Sequence, residues 1–206
     1  LMEKVAELGM PAVAISDRCN FFGLIKAYKA AARQGLKLLV AADFELLHDD
    51  ERRTQLSLYA LDDQGYRNLT VLISKAYQEG QVLGRPLIRW EWLQAASNGL
   101  LALSGGRRGE VGQHLLAGRA VEAEASCREW MALFPDRFYL ELQRTGRTDE
   151  EDYLHAAVGL AEQLDCPVVA TNEVCFITKA EFEAHEARVC IGEGRTLNDP
   201  RRPRNF

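Results

Sequence analysis

The sequence predicts an α/β fold, a distorted βα barrel, and three observations lead to this prediction. Short and nearly continuous apolar runs occupy residues 11–17, 36–43 and 166–173. Each run ends on a carboxylate and follows an amphipathic stretch with a helical period. Apolar runs that lack polar alternation and are separated by helices indicate a parallel sheet covered on both faces. Because the carboxyl ends of parallel strands share one rim, the side chains that end these strands are expected to converge there.

The N-terminal part of the chain predicts helix, strand, helix and strand in turn. Residues 1–8 are expected to form a short helix that Gly9 ends, before the first strand. A polar turn leads into a helix over 21–34, and the second strand can continue from Asp43 to residue 47. The face of the 21–34 helix that is expected to point into the core carries Leu24, Ile25, Ala27, Tyr28 and Ala31.

The rest of the chain continues this alternation. A charged hairpin over 48–53, with His48 expected at the surface, joins the second strand to a third at 55–61. A capping-box pattern is expected to open the helix at 148. Because strand follows helix at irregular intervals, the pattern fits a distorted βα barrel without a sequence repeat. Further strands are expected at 100–106 and 138–143, a loop at 80–86, and helices at 66–78, 88–96, 107–116, 121–133, 148–164 and 179–190.

Composition describes an ordinary globular chain of 206 residues, with 47% hydrophobic and 27% charged residues. No apolar run approaches the roughly 20 residues of a membrane span. A net charge of −5 argues against a general nucleic-acid-binding surface. Five cysteines without a Cys-x-x-Cys pair are typical of reduced thiols in a cytosolic protein. Since the first residues read as mid-helix and the last as a loop, the chain is expected to be an excerpt of a longer one.

The three carboxylates at the strand ends are the candidate site. Asp17, Asp43 and Glu173 lie far apart in sequence, yet a shared rim would bring them together. Converging carboxylates are the pattern of a metal-dependent phosphoester site. An acid after a strand is also a common helix N-cap, which suits Asp17. Both interpretations stay open at this point.

Several stretches are similar to one known family. They are LGMPAVAISD at 8–17, NLTVLISKAY at 68–77, LSGG at 103–106, ATNEV at 170–174 and RPRNF at 202–206. They resemble the polymerase and histidinol phosphatase (PHP) domain of bacterial replicative DNA polymerase III alpha subunits. The resemblance implies a distorted (βα)7-type barrel, N-terminally truncated, because the family's first strand with its His-x-His motif would precede Leu1. It also implies a PHP domain over 1–194 and a connector over 195–206 toward a polymerase palm that is absent from the chain.

The resemblance implies that the family's metal site is degenerate here. Arg18 stands where the family has a histidine, and a guanidinium does not coordinate metals. Asp43 replaces a longer Glu, and Glu173-x-Cys175 replaces Asp-x-His. The degenerate phosphoesterase site would comprise Asp17, Arg18, Asp43, Gln55 in place of a histidine, Gly106 in place of a cysteine, Glu173 and Cys175. No catalytic residue is expected, and Arg18 is expected to pair with Asp17 or Glu173 in place of a metal.

The function implied by the resemblance is that of a structural domain in the parent polymerase. Such a domain would dock the proofreading exonuclease subunit, pack against the remaining polymerase domains and meet DNA only through the parent chain. It would need no cofactor of its own, whereas the parent polymerase would use Mg²⁺ in the cytoplasm. One alternative is a residual metal-dependent phosphoesterase or pyrophosphatase with Asp17, Asp43 and Glu173 as ligands. Another is direct DNA binding through Arg107, Arg108 and the arginines of the tail.

Overall fold

A computed structural model describes residues 1–202 of the chain. These residues divide into two compact units, one formed by Met2–Thr171 and one containing Leu1 and the described residues from Asn172 onward. Within the described residues, none of the helices has the length and apolar content that crossing a bilayer would require.

The strands of the first unit form one curled main sheet and one small hairpin. The main sheet has the order β1-β2-β3-β7-β8-β9, with β6 paired to the far end of β2, and β4 pairs with β5. This curled sheet of half-barrel form confirms the predicted α/β barrel class. The strands are β1 Ala12–Arg18, β2 Lys37–Leu47, β3 Arg53–Ala60, β4 Gln81–Val82, β5 Arg85–Pro86, β6 Ile88–Arg89, β7 Leu100–Leu103, β8 Phe138–Leu142 and β9 Val168–Ala170.

The helices alternate with these strands as predicted, although several bounds differ. The α-helices of the described residues are α1 Met2–Glu7, α2 Leu24–Arg33, α3 Asp63–Gln78, α4 Trp90–Ala95, α5 Glu110–Leu116, α6 Ala120–Leu133, α7 Glu150–Leu164 and α8 Phe182–Glu193. Short 3₁₀ helices at Gly106–Arg108 and Lys179–Glu181 precede α5 and α8. The helix predicted over 88–96 is wrong at its start, because residues 88 and 89 pair with β2 before α4 begins. The loop predicted over 80–86 contains the β4–β5 hairpin.

The predicted parallel pairing does not extend to β3. The pairs β1–β2, β2–β6, β7–β8 and β8–β9 are parallel, but β3 runs antiparallel to both β2 and β7. The cause is the hairpin predicted over 48–53, which the structure confirms. Strands joined by so short a connection run antiparallel, because a parallel pair needs a long crossover.

The two faces of the sheet differ in character. Along β2 and β3, buried and half-buried residues alternate with a period of two. The buried face carries residues such as Phe44, Leu46 and Leu58, each at most 2% exposed, which belong to the hydrophobic core. The alternate residues, Asp43 and Ser57 among them, lie half-buried on the other face. The sheet therefore has one apolar face and one polar face that is partly open to solvent.

An aromatic cluster anchors α6 against the sheet. The ring of Trp130 stacks at 5.8 Å on Phe138 of β8 and meets Trp90 of α4 edge-on at 4.8 Å. Its indole nitrogen donates a 3.0 Å hydrogen bond to the carboxylate of Glu110 in α5. Trp130 is buried in the core, and its contacts link three helices to one strand.

The predicted burial of two residues of α2 and the predicted exposure of His48 were wrong. Of the five residues expected on the inward face of α2, Leu24 and Ala31 are buried, whereas Ile25 and Tyr28 are 61% and 63% exposed. His48 is not a surface residue: its side chain is 15% exposed and its ring nitrogen lies 2.8 Å from the Thr54 hydroxyl.

The capping box predicted at 148–151 is also absent from the start of α7. Its N-cap, Asp149, makes no side-chain capping bond. The carboxylate of Glu150 instead accepts backbone hydrogen bonds from residues 145, 146 and 147. A capping box does occur in the second unit, between Thr178 and Glu181.

Candidate functional site

Asp43 is held by two serine hydroxyls on the polar face of the sheet. It stands in β2 opposite Ser57 of β3, and the Ser57 hydroxyl donates a 2.6 Å hydrogen bond to Asp43 Oδ1. Ser16 of β1 donates a 2.5 Å bond to the same oxygen. Three neighbouring strands thus fix one carboxylate oxygen through short local contacts. The cluster arises because each of these residues occupies a polar-face position in its strand.

Glu141 of β8 is a second carboxylate on this face, and it is only 7% exposed. Its Oε1 accepts a 2.5 Å hydrogen bond from the Thr171 hydroxyl and a 3.4 Å bond from the Gln143 amide. Its backbone is fixed as well, since its N–H donates to the Ser104 hydroxyl and its carbonyl accepts from the Tyr153 hydroxyl. The Glu141 side chain is therefore rigid and largely removed from water.

The electrostatics of the cluster disfavour further negative charge. Burial raises the pKa of Glu141, the hydrogen bond from Thr171 opposes this, and the charge of Asp43 raises the pKa further. Burial, followed by the charges of Asp43 and Glu141, raises the pKa of Tyr59 to about 12. The influence of these charges on the pKa values agrees with Asp43, Tyr59 and Glu141 lying on the same face of the sheet. Glu141 and Tyr59 therefore both hold their protons to a higher pH than an exposed carboxyl or phenol does.

A glycine-rich turn borders the cluster and includes the predicted site residue Gly106. Gly105 has a φ of +77°, and a Cβ there would lie 2.0 Å from the carbonyl oxygen of Gln55. This close approach lets the turn pack onto β3, and it requires glycine. A Cβ on Gly106 would lie 3.6 Å from Gln143 Oε1, so Gly106 adjoins the hydrogen-bond network of Glu141. Gln55 itself stands opposite Glu45 in the β2–β3 pairing.

Asp17 serves the start of α2. Its Oδ2 accepts a 3.0 Å hydrogen bond from the backbone N–H of Gly23, the N-cap residue of α2. Adjacent residues of a strand point to opposite faces, so Ser16 and Asp17 cannot both face Asp43. Asp17 is not itself the N-cap that the sequence suggested, because it lies within β1 and the N-cap residue is Gly23, whose N–H it binds. The expected convergence of Asp17 with Asp43 is replaced by that of Ser16 with Asp43.

The other predicted site residues fall into two groups. Arg18 is the register partner of Asp43 in the parallel β1–β2 pair, so the two residues occupy neighbouring positions on the same face. Glu173, half-buried, and Cys175, exposed, follow β9 and belong to the second unit. Their participation in a common site stays a prediction, as does the pairing of Arg18 with Asp17 or Glu173.

The strand-end carboxylates suggested a polynuclear metal site, and its degeneracy, which the resemblance implies, stays a prediction. Among residues 1–202, no group of three or more His, Cys, Asp or Glu side chains is arranged to hold a metal ion. Asp43 Oδ1 already accepts two hydroxyl hydrogen bonds, and burial raises the pKa of Glu141. The histidines of this unit take other roles, His48 at Thr54 and His155 at the carbonyl of Glu151, while His114 is buried in α5. Metal clusters of this kind need several ionised or imidazole ligands at about 2 Å.

Several residues of the cluster escaped the sequence analysis. They are Ser16, Ser57, Tyr59, Glu141, Gln143 and Thr171. One signal was available, because the alternation predicted over 138–143 places Tyr139, Glu141 and Gln143 on one face. The serines carried no comparable signal, since only the pairing of β1, β2 and β3 brings them to Asp43.

Comparison with known proteins agrees with the resemblance seen in the sequence. The family model of the PHP domain matches residues 1–145. The chain is 52% identical over 208 aligned residues to the DNA polymerase III subunit alpha of Pseudomonas aeruginosa and 50% identical to that of Escherichia coli K12. Both matches cover 100% of this chain, which spans 18% of the length of these relatives.

A likeness to a solved structure concerns the fold alone. A Bifidobacterium adolescentis protein with a predicted metal-dependent phosphoesterase activity superposes with a TM-score of 0.53 at 14% identity, over 82% of this chain and 79% of that one. The half-barrel sheet, the family match over 145 residues and the identity across the whole chain agree with one another. The chain belongs to the PHP domain family.

Proposed function

We propose that this chain is the PHP region of a bacterial replicative DNA polymerase III alpha subunit and that it acts there as a structural and docking domain. The main observation behind this proposal is that the entire chain is about 50% identical in sequence to such subunits. The parent chain would join deoxynucleotides to a primer end in the cytoplasm with Mg²⁺, and it would make the contacts to DNA. Residues 1–194 would form the PHP domain and 195–206 the connector toward the rest of the polymerase.

In this proposal the hydrolytic metal site of the fold has been replaced by direct polar contacts. Asp43 is satisfied by Ser16 and Ser57, and Arg18 stands at its register position in the adjacent strand. A guanidinium at this position would supply positive charge beside Asp43 without a metal. Asp17 is engaged by α2. These contacts support a face that stabilises the sheet and carries no cofactor of its own.

Mn²⁺-dependent hydrolysis tests this loss of the metal site. The protein would be assayed with pyrophosphate and p-nitrophenyl phosphate, beside Asp43→Ala and the control Asp49→Ala, whose side chain is exposed on the β2–β3 turn. We expect no metal-dependent turnover in any of the three proteins and no stoichiometric metal after purification. Turnover that is lost in Asp43→Ala but kept in Asp49→Ala would overturn the proposal and favour the residual phosphoesterase or pyrophosphatase.

Docking is tested separately, by copurification with the proofreading exonuclease subunit of the same organism. The proposal expects a stable complex that survives size-exclusion chromatography, together with contacts to the remaining polymerase domains of the parent chain. A folded protein that fails to retain the exonuclease subunit would remove docking from the proposal and leave the structural role.

A further inference from the structure

Helix α2 presents an apolar surface that the rest of the described chain leaves uncovered. Ile25 and Tyr28 are 61% and 63% exposed, and Phe22, just before the helix, is 84% exposed. Only Leu24 and Ala31 of this helix are buried. Ile25 and Tyr28 are neighbours on the helix surface because they are three residues apart, and Phe22 lies in the turn that leads into α2. Single exposed apolar residues are ordinary, whereas neighbouring exposed apolar residues are typical of interaction surfaces.

A basic strip runs beside the apolar residues. Lys26, Lys29 and Arg33 are all exposed, and α2 contains no acidic residue. With roughly 100° of rotation per residue, these three side chains occupy the sector next to Ile25 and Tyr28, on the side away from the core. The concentration of positive charge is distinctive in a chain whose net charge is −5. The strip therefore favours a partner that carries negative charge.

The start of α2 is held in place before any partner binds. Asp17 accepts a hydrogen bond from Gly23 N–H, and Asn20 Oδ1 accepts a 2.9 Å bond from Phe22 N–H. The Asn20 amide in turn donates a 2.8 Å bond to the carbonyl of Arg18. The backbone that presents Phe22 is thus fixed, which reduces the entropy lost on binding.

We propose that these residues form a docking surface, here the α2 surface, for an acidic amphipathic helix of a protein partner. The inference goes beyond the proposed docking role because it assigns a surface and a partner chemistry, whichever subunit supplies the helix. Apolar residues with helical spacing suit helix-on-helix packing. Single-stranded nucleic acid is bound instead by basic grooves with stacking aromatics, and α2 is a convex element of an acidic chain. The α2 surface comprises Phe22, Ile25, Lys26, Tyr28, Lys29 and Arg33.

A binding titration of the full-length natural protein tests the chemistry of the surface. The probe is a fluorescently labelled peptide that forms an amphipathic helix of about five turns, with Leu on one face and Glu beside it. Its binding is measured by fluorescence anisotropy. We expect saturable binding that weakens by at least about tenfold in Ile25→Ser/Tyr28→Ser and in Lys26→Glu/Lys29→Glu. The matched controls Val121→Ser and Lys179→Glu, which alter exposed residues elsewhere, should leave the affinity unchanged. Circular dichroism of each variant confirms that it is folded.

Two further probes test whether the surface prefers an acidic peptide to a basic one and a peptide to nucleic acid. The same peptide with every Glu replaced by Lys should not bind, and a labelled oligothymidylate should not compete. Equal binding of the Lys peptide, no saturable binding of the Glu peptide, or competition by the oligothymidylate that is lost in Lys26→Glu/Lys29→Glu would each overturn the proposal. The last outcome would assign the α2 surface to nucleic acid instead.

A crosslinking measurement does not depend on the designed peptide. Benzoylphenylalanine introduced at Tyr28 of the full-length protein, assembled with its native partners, should crosslink to a segment with acidic residues beside helically spaced apolar ones. The same amino acid introduced at Val121 reports the background. A Tyr28 crosslink no stronger than that background, or one to a basic segment, contradicts the assignment.

Discussion

Replacing Glu141 with Gln should stabilise the protein in a pH-dependent way. Glu141 is 7% exposed, and its carboxylate has two side-chain hydrogen-bond donors, Thr171 and Gln143. Gln keeps the shape and the accepting oxygen, so both bonds can persist. What the substitution removes is a charge that burial and the neighbouring Asp43 disfavour. The variant thus separates the effect of charge from that of packing.

The sign of the effect follows from the raised pKa of Glu141. The folded state holds the proton above the ordinary carboxyl pKa of 4.5, so the wild-type protein loses stability as pH rises through the folded-state pKa. Each pKa unit by which the two states differ corresponds to about 1.4 kcal/mol. Below the unfolded-state pKa both proteins carry a neutral side chain, and their stabilities should agree closely. At about pH 8 Glu141→Gln should therefore be more stable than the wild type, by about 1.4 kcal/mol for each unit by which the folded-state pKa exceeds the unfolded one.

Urea unfolding followed by tryptophan fluorescence measures this difference at a series of pH values. The three tryptophans, at positions 90, 92 and 130, all lie in the same unit as Glu141. Glu129→Gln, which changes an exposed carboxylate on α6, is the control and should show a nearly flat difference. A Glu141→Gln variant that is less stable throughout, or whose difference from wild type does not change with pH, would refute the reasoning about the buried charge.

Three further predictions concern the same framework, each read out as the free energy of unfolding. Ser57→Ala removes one of the two hydroxyl donors to Asp43 and should cost about 1 kcal/mol, so a neutral effect would mean that water replaces the bond. Gly105→Ala should cost more than about 3 kcal/mol, because its Cβ would meet a carbonyl oxygen at 2.0 Å. The control Gly146→Ala has a similar φ and open space around it, and it should cost only about 1 to 2 kcal/mol. Equal losses in the two variants would contradict the steric argument. Burial raises the pKa of Glu150, but its hydrogen bonds lower the pKa overall. Glu150→Gln should therefore cost about 1 to 3 kcal/mol at neutral pH, and this loss of stability should shrink as pH falls through the lowered pKa. A loss of stability that grows in acid would contradict the expected pH dependence.

Local sequence patterns predicted much of the fold. The apolar run at 36–47 became the 11-residue strand β2, and the charged turn after it became the hairpin to β3. The helical period at 66–78 became α3, whose N-cap Asp62 accepts a bond from Gly65 N–H. These elements are set by residues within a few positions of one another, namely periodicity, turn composition and caps. The family could also be recognised, because its short motifs are contiguous stretches of sequence.

The candidate site was less predictable, because strand pairing decides which side chains meet. Ser16 and Asp17 are adjacent in sequence, yet one binds Asp43 and the other binds the backbone N–H of Gly23 before α2. A change of one position along a strand reverses the face of a side chain, and a sequence pattern leaves that choice open at a polar strand end. Glu141 was missed for a related reason, since its burial comes from Thr171, Ser104 and Tyr153, which are distant in sequence or on other elements.

By itself the sequence determined the α/β class, the order of most helices and strands and the family, because these depend on short-range periodicity and contiguous motifs. Only the tertiary structure decided that Asp43 is held by two serines, that Glu141 is a buried carboxyl, and that Ile25 and Tyr28 of α2 lie outside the core. The physical reason is that burial and charge depend on neighbours across the sheet. Such neighbours are fixed by the register between strands and by the helices that cover one face.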